Sequence, residues 1–231
     1  MTNPVAYSSA ADLNERTLSY LTLILNTIES KDWKSLYQIG LSKPSTFKAL
    51  ARIISTTDEF NGMTFLHAVV RHDPPLCIVT EIMKICPGDV RARDCLNRTP
   101  LHVACGVGAN VKTIRCLAAA FPQACNIQDE DGRTPLHFYC DIECQLFEGD
   151  DGKMREPPSY EAVYCLLSAS IASVGLEDAD GMSPLEYAIC SDANAKVVKL
   201  LQKAAQKHLR DSKSKANDVD RVRSSGAAKV A

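Results

Sequence analysis

The sequence predicts an all-α solenoid of stacked helix–turn–helix units, and three observations lead there. The stretch Thr99-Pro100-Leu101-His102 recurs 35 residues earlier as Thr64-Phe65-Leu66-His67 and 35 residues later as Thr134-Pro135-Leu136-His137. A looser copy, Ser183-Pro184-Leu185-Glu186, follows after 49. Between copies the apolar residues keep helical spacing, with Val79/Ile82, Ile114/Leu117, Val163/Leu166 and Val197/Leu200 at matching places. A fixed period of this length marks units that bury their apolar faces only by stacking on one another.

The elements follow in order. Residues 1–12 are small and polar and are expected to be disordered. Leu13, Leu18, Leu21, Ile24, Leu25 and Ile28 define an amphipathic helix to about Glu29. A second, short helix runs from Asp32, a candidate cap, to Leu41, with Trp33, Leu36 and Ile39 inward. Pro44 breaks the chain, and a third helix covers Thr46 to Ile54. Residues 13–58 lack the repeated motif and read as a degenerate repeat with a helical cap, closing an end that would otherwise stay wet.

From residue 59 the units are regular. Leu66 aligns with Leu101, Val79 with Ile114, Pro87 with Pro122 and Asp94 with Asp129. Each unit has a short first helix starting at the motif and a second helix, ended by proline in the first two units, where the hydrogen-bond ladder cannot continue. Within the motif, threonine caps the helix. Proline suits its first turn. Leucine enters the core, and histidine is placed to bond the neighbouring turn. Gly62, Gly132 and Gly181 stand two residues before the Thr or Ser, where a turn needs positive φ, and Asn97 takes that place once.

The third unit is interrupted. His137 to Val163 spans 26 residues where His102 to Ile114 spans 12, which leaves 14 extra in an insertion at 143–158, read as a polar surface excursion. The last helix runs from about Ala193 to Leu209, and 211–231 is read as a disordered basic tail. From Lys199 onward there are nine Lys/Arg and three Asp, against 17 basic and 25 acidic residues before it.

On these residues, and above all Asp129-Glu-Asp-Gly-Arg-Thr-Pro-Leu-His137 with Asn126 before it, the chain resembles the ankyrin-repeat family. The resemblance covers about 59–210, with four recognisable repeats and the degenerate one before them. It implies an ankyrin-repeat solenoid with turns projecting from paired helices. Two departures fall near the ends: Phe65 replaces the motif proline and Glu186 the motif histidine.

Several chemistries are set aside. Equivalent histidines of a solenoid lie about 10 Å apart, too far to share one metal whose ligands sit ~2 Å away. Cys105 and Cys140 occupy one repeat position and suit a small buried residue. His137, Cys140 and Cys144 have ligand-like spacing but lack a fourth ligand, and a redox role for exposed Cys95 or Cys144 has no supporting pattern. The acidic insertion fails the calcium-loop spacing. Neither a nucleophile elbow nor a phosphate loop is present. The expectation is no enzyme, no metal and no cofactor.

The resemblance implies a protein-interaction module or scaffold that binds a partner protein on its concave side. The positions carried over are Phe60, Asn61, Met63, Arg71 and His72 in the first repeat, then Cys95, Leu96, Arg98 and Val107. They continue with Glu130, Asp131, Arg133, Asp141 and Ile142, then Ala179, Asp180 and Met182. Leu96 flanked by Arg93 and Arg98 reads as an apolar centre with a polar rim. The alternative is a nuclear or nucleic-acid-associated regulator using the tail, although its charges are interrupted and it has no aromatics for stacking. With no export signal and no apolar run of bilayer length, the expectation is an intracellular monomer, cytoplasmic or nuclear.

Overall fold

The computed structural model describes residues 10–56, 60–147 and 155–227. No strand occurs among them. Three N-terminal elements come first: α1 (Ala10–Glu29), α2 (Trp33–Ser35) widening into a π-helical turn over Leu36–Leu41, and α3 (Pro44–Thr56). Asp32 caps α2 by accepting from the Ser35 amide. Pro44 opens α3 rather than breaking the chain, as a residue without an amide can at a first turn. Leu21, Ile24, Ile28, Leu36, Phe47 and Leu50 are all buried and form the core of this cap.

Four two-helix units follow. The first helices are α4 (Phe65–Val70), α6 (Pro100–Gly106), α8 (Pro135–Cys140) and α10 (Pro184–Cys190). The second helices are α5 (Leu76–Ile85), α7 (Val111–Ala120), α9 (Tyr160–Ala169) and α11 (Ala195–Ala227). First helices pack on first helices and second on second along the whole series. The core between them is continuous from Leu66 and Val79 through Leu101 and Ile114 to Leu136, Leu166 and Leu201.

The motif is a joint. In each of the first three units the Thr hydroxyl takes the start of the helix, and the histidine three residues on bonds back to the Thr amide. The amides of Thr64, Thr99 and Thr134 donate to His67, His102 and His137 Nδ1 at 3.1, 3.0 and 3.0 Å. Nδ1 is therefore the acceptor, and Nε2 carries the proton. Nε2 donates to the carbonyl of Arg98, Ile127 and Met182 respectively, each in the next unit. Burial holds the three imidazoles well below the usual histidine pKa, at about 4, 3 and 4.

Both departures from the motif have structural reasons. Phe65 stacks on Phe47 with centroids 4.5 Å apart, tying the cap to the first unit. Glu186 accepts from the Ser183 amide at 2.7 Å, a capping box on an exposed helix that needs no donor toward a following turn.

Two expectations are corrected. The chain does not become irregular after Arg210, for α11 runs on to Ala227. The segment is poor in large apolar residues, but those are needed to pack a helix, not to form one, and Lys, Arg and Ala favour helix. Likewise α1 begins at Ala10, inside the stretch read as disordered; residues 1–9 lie outside the described residues.

Candidate functional site

The turns that precede each first helix form a row. Asn61, Asn97, Gly62, Gly132 and Gly181 all have positive φ, which lets each turn reverse tightly. Asp94, Asp129 and Asp178 hold the turns from within, each accepting from the amides two and four residues on. Neighbouring tips are laced by backbone bonds: Cys95 N to Asn61 O at 2.7 Å, Glu130 N to Leu96 O at 3.1 Å and Ala179 N to Asp131 O at 2.8 Å. The tips are thereby spaced and fixed, and their side chains point away from the stack. Asn61, Cys95, Leu96, Glu130, Asp131, Ala179 and Asp180 are all exposed, Leu96 by 42%.

The second half of the expected surface is different. Arg98 is only 6% exposed. Its Nε meets Asp94 at 2.8 Å, its Nη1 donates to the Leu146 carbonyl at 2.7 Å, and its guanidinium lies over the Phe147 ring. It is a structural residue, not a rim. Ile142 is buried as well, with its amide on Ser191 Oγ. Arg133 and Asp141 are half-buried and bound to each other at 2.5 Å, with Arg133 held between Phe138 and Tyr187. Phe60 and Val107 pack against the core, and Met63, Arg71, His72 and Met182 are half-buried.

The cause is the insertion, which is not a solvated excursion at its two ends. Leaving α8, the chain turns back across α6. Leu146 is buried against Gly106, so closely that a Cβ there would stand 2.5 Å from Leu146 Cδ1. Phe147 follows, with the Arg71 guanidinium 4.0 Å from its centroid. On the returning limb Arg155 donates to the carbonyls of Cys105 and Phe138 at 2.8 Å, and to that of Asp141. The Cys105 and Phe138 carbonyls lie in the last turns of α6 and α8, the first of them also accepting from the Gly108 amide at 3.1 Å, so one guanidinium ties α6 to α8. Residues 148–154 lie outside the described residues.

Leu146, Phe147 and Arg155 were not anticipated. The available signal was the adjacent pair Leu146-Phe147 inside an otherwise polar segment, since a solvated loop has no use for two large apolar residues. Cys144, read as exposed, is half-buried and beyond the end of α8. Cys105 and Cys140 are fully buried as expected, and burial pushes both thiols up.

The geometry defines a class: a helical stack with laced turn tips and no group poised for chemistry among the tip side chains. The family model for ankyrin repeats (3 copies) matches residues 65–144 of the chain. The fourth unit, α10 with α11, continues the same packing beyond that match. Among curated proteins the chain is similar to inversin of Canis lupus familiaris and of Homo sapiens. Each is 27% identical over 145 residues, which cover 62% of this chain and 12% of the relative. Ankyrin repeats are a non-enzymatic fold that mediates protein–protein interaction. No helix among the described residues is long and apolar enough to cross a membrane.

Proposed function

We propose that this chain is a binding module that holds a partner protein on the row of turn tips, from Asn61 through Leu96 and Asp131 to Asp180. The carrying observation is Leu96, an apolar side chain exposed on a turn whose backbone bonds to the turn on either side. Folding has no use for it there, and an isolated apolar centre with charges around it is how interface cores are built. The charges are not uniform. Arg93 flanks Leu96 on one side, while Glu130, Asp131 and Asp180 lie exposed on the following tips. A partner presenting an apolar residue next to a basic stretch matches that pattern. The inner helices contribute less than the ankyrin resemblance implies, because Leu146 and Phe147 cover part of them.

Affinity purification with quantitative mass spectrometry tests this. Wild-type chain is compared with a double variant, Leu96→Asp with Asp131→Lys, and with Lys84→Glu on an outer helix. The reading requires proteins that the double variant loses and the control keeps.

A further inference from the structure

The basic C-terminal region has so far only an overall charge to its name, but its first part is organised. Lys196, Lys199, Lys203 and Lys207 are all exposed on α11. Their spacing of three, four and four residues puts them in one stripe about 16 Å long. None takes part in an ion pair formed among the described residues. The stripe borders a groove between α11 and α9, whose far wall carries Tyr160 and Tyr164. These rings are exposed by 47% and 56% and stack on each other, with centroids 6.2 Å apart and planes 11° off parallel. Leu167 and Leu200 lie along the groove, and Glu161 is the one acidic residue lining it.

Two exposed tyrosines one turn apart on an outer helix have no packing role toward the stack. Tyrosine is favoured where a surface becomes an interface, because it covers area at small entropic cost. Four exposed cations beside them, with no ion-pair partner among the described residues, define the sign of what binds. The apolar floor decides its class: Leu167 and Leu200 offer a place to aliphatic side chains, which nucleic acid lacks. The tyrosines also face each other rather than line a path along which bases would stack. A groove between two helices, apolar below and cationic along one wall, fits a third helix laid into it.

We infer that the α9–α11 groove is a second docking site, one that takes an acidic amphipathic helix from a partner protein. It is separate from the turn tips, on the outer helices, and does not depend on the reading above.

The test uses the full chain and a labelled peptide of about 16 residues, long enough to match the lysine stripe. The peptide is rich in glutamate, with leucines repeating every three to four residues. Fluorescence anisotropy should show binding that weakens about tenfold in Lys199→Glu with Lys203→Glu, from losing two charge contacts and gaining two repulsions. Tyr160→Ala with Tyr164→Ala, and a peptide with alanine for leucine, should each weaken it as well. The circular-dichroism melting temperature should stay unchanged, since all four altered side chains are exposed. On the wild-type chain, hydrogen exchange with and without peptide should show protection confined to α9 and α11. Affinity unchanged by the lysine reversals, protection elsewhere, or tighter binding of a single-stranded oligonucleotide or of phosphatidylserine vesicles would each overturn the inference.

Discussion

Leu146 fills the space that a side chain at Gly106 would occupy, at 2.5 Å from where its Cβ would stand. A residue of the inserted segment and a helix residue 40 positions before it thus share one site. Substituting either breaks the fit in opposite ways. Leu146→Ala empties a buried site and should cost about 2 kcal/mol, at the lower end for core leucines because the segment can settle. Gly106→Ala gains helix propensity but drives the segment off α6. It should raise protease cleavage within 143–158, measured as the rate of nicking in native buffer.

Arg98 and Leu96 separate structure from binding two residues apart. Arg98→Glu places a carboxylate beside buried Asp94 and removes the bond to the Leu146 carbonyl, so it should cost about 3 kcal/mol by urea unfolding. Leu96→Asp should stay within about 0.5 kcal/mol of wild type, as exposed changes do. The sequence alone implied that both changes would spare stability.

The three motif histidines make stability depend on pH. Their folded pKa values of about 4, 3 and 4 lie below the usual value for an unfolded chain. Below about pH 6.5 the unfolded state therefore binds more protons, so stability is complete above that pH and is lost as pH falls. Each histidine contributes a slope near ~1.4 kcal/mol per pH unit, and the three together about 4 kcal/mol between pH 7 and 5.5. Urea midpoints across that range measure it. His137→Asn should flatten the slope by about a third; an unchanged slope would mean that His137 is not buried neutral.

Gly132 and Gly181 share the same backbone and differ in surroundings. Their φ values are +77° and +75°, but a Cβ at 132 would lie 3.1 Å from the Asp178 Cα, while at 181 nothing lies within 4 Å. Gly181→Ala should cost about 1 kcal/mol from the left-handed backbone alone. Gly132→Ala should cost more, since the next turn must also move. Equal thermal shifts would show that the turns are not packed as closely as the backbone bonds between them require.

The repeats were legible because a period is a long-range signal written locally. Thr99, His102 and Asn97 could each be read from their copies, including the bond from one turn to the next. Arg98 could not. Of its copies, Met63, Arg133 and Met182, only one is charged, and its partners besides Asp94, the Leu146 carbonyl and Phe147, lie in a segment that no other repeat has. Arg155 was hidden for the same reason: its acceptors are backbone carbonyls 17 and 50 residues away, and carbonyls leave no trace in side-chain pattern. The helix beyond Arg210 leaves no apolar period to read, because that stretch has little apolar content to be periodic.

The central claim, that the turn tips carry the partner, is tested most directly by contact. A photo-crosslinking residue is placed at position 96, with a second chain carrying it at position 84 on an outer helix. After illumination of each in complex with material purified on the wild-type chain, position 96 should form a discrete crosslinked species and position 84 should not. A crosslink at 84 with none at 96 would place the partner elsewhere and contradict the account.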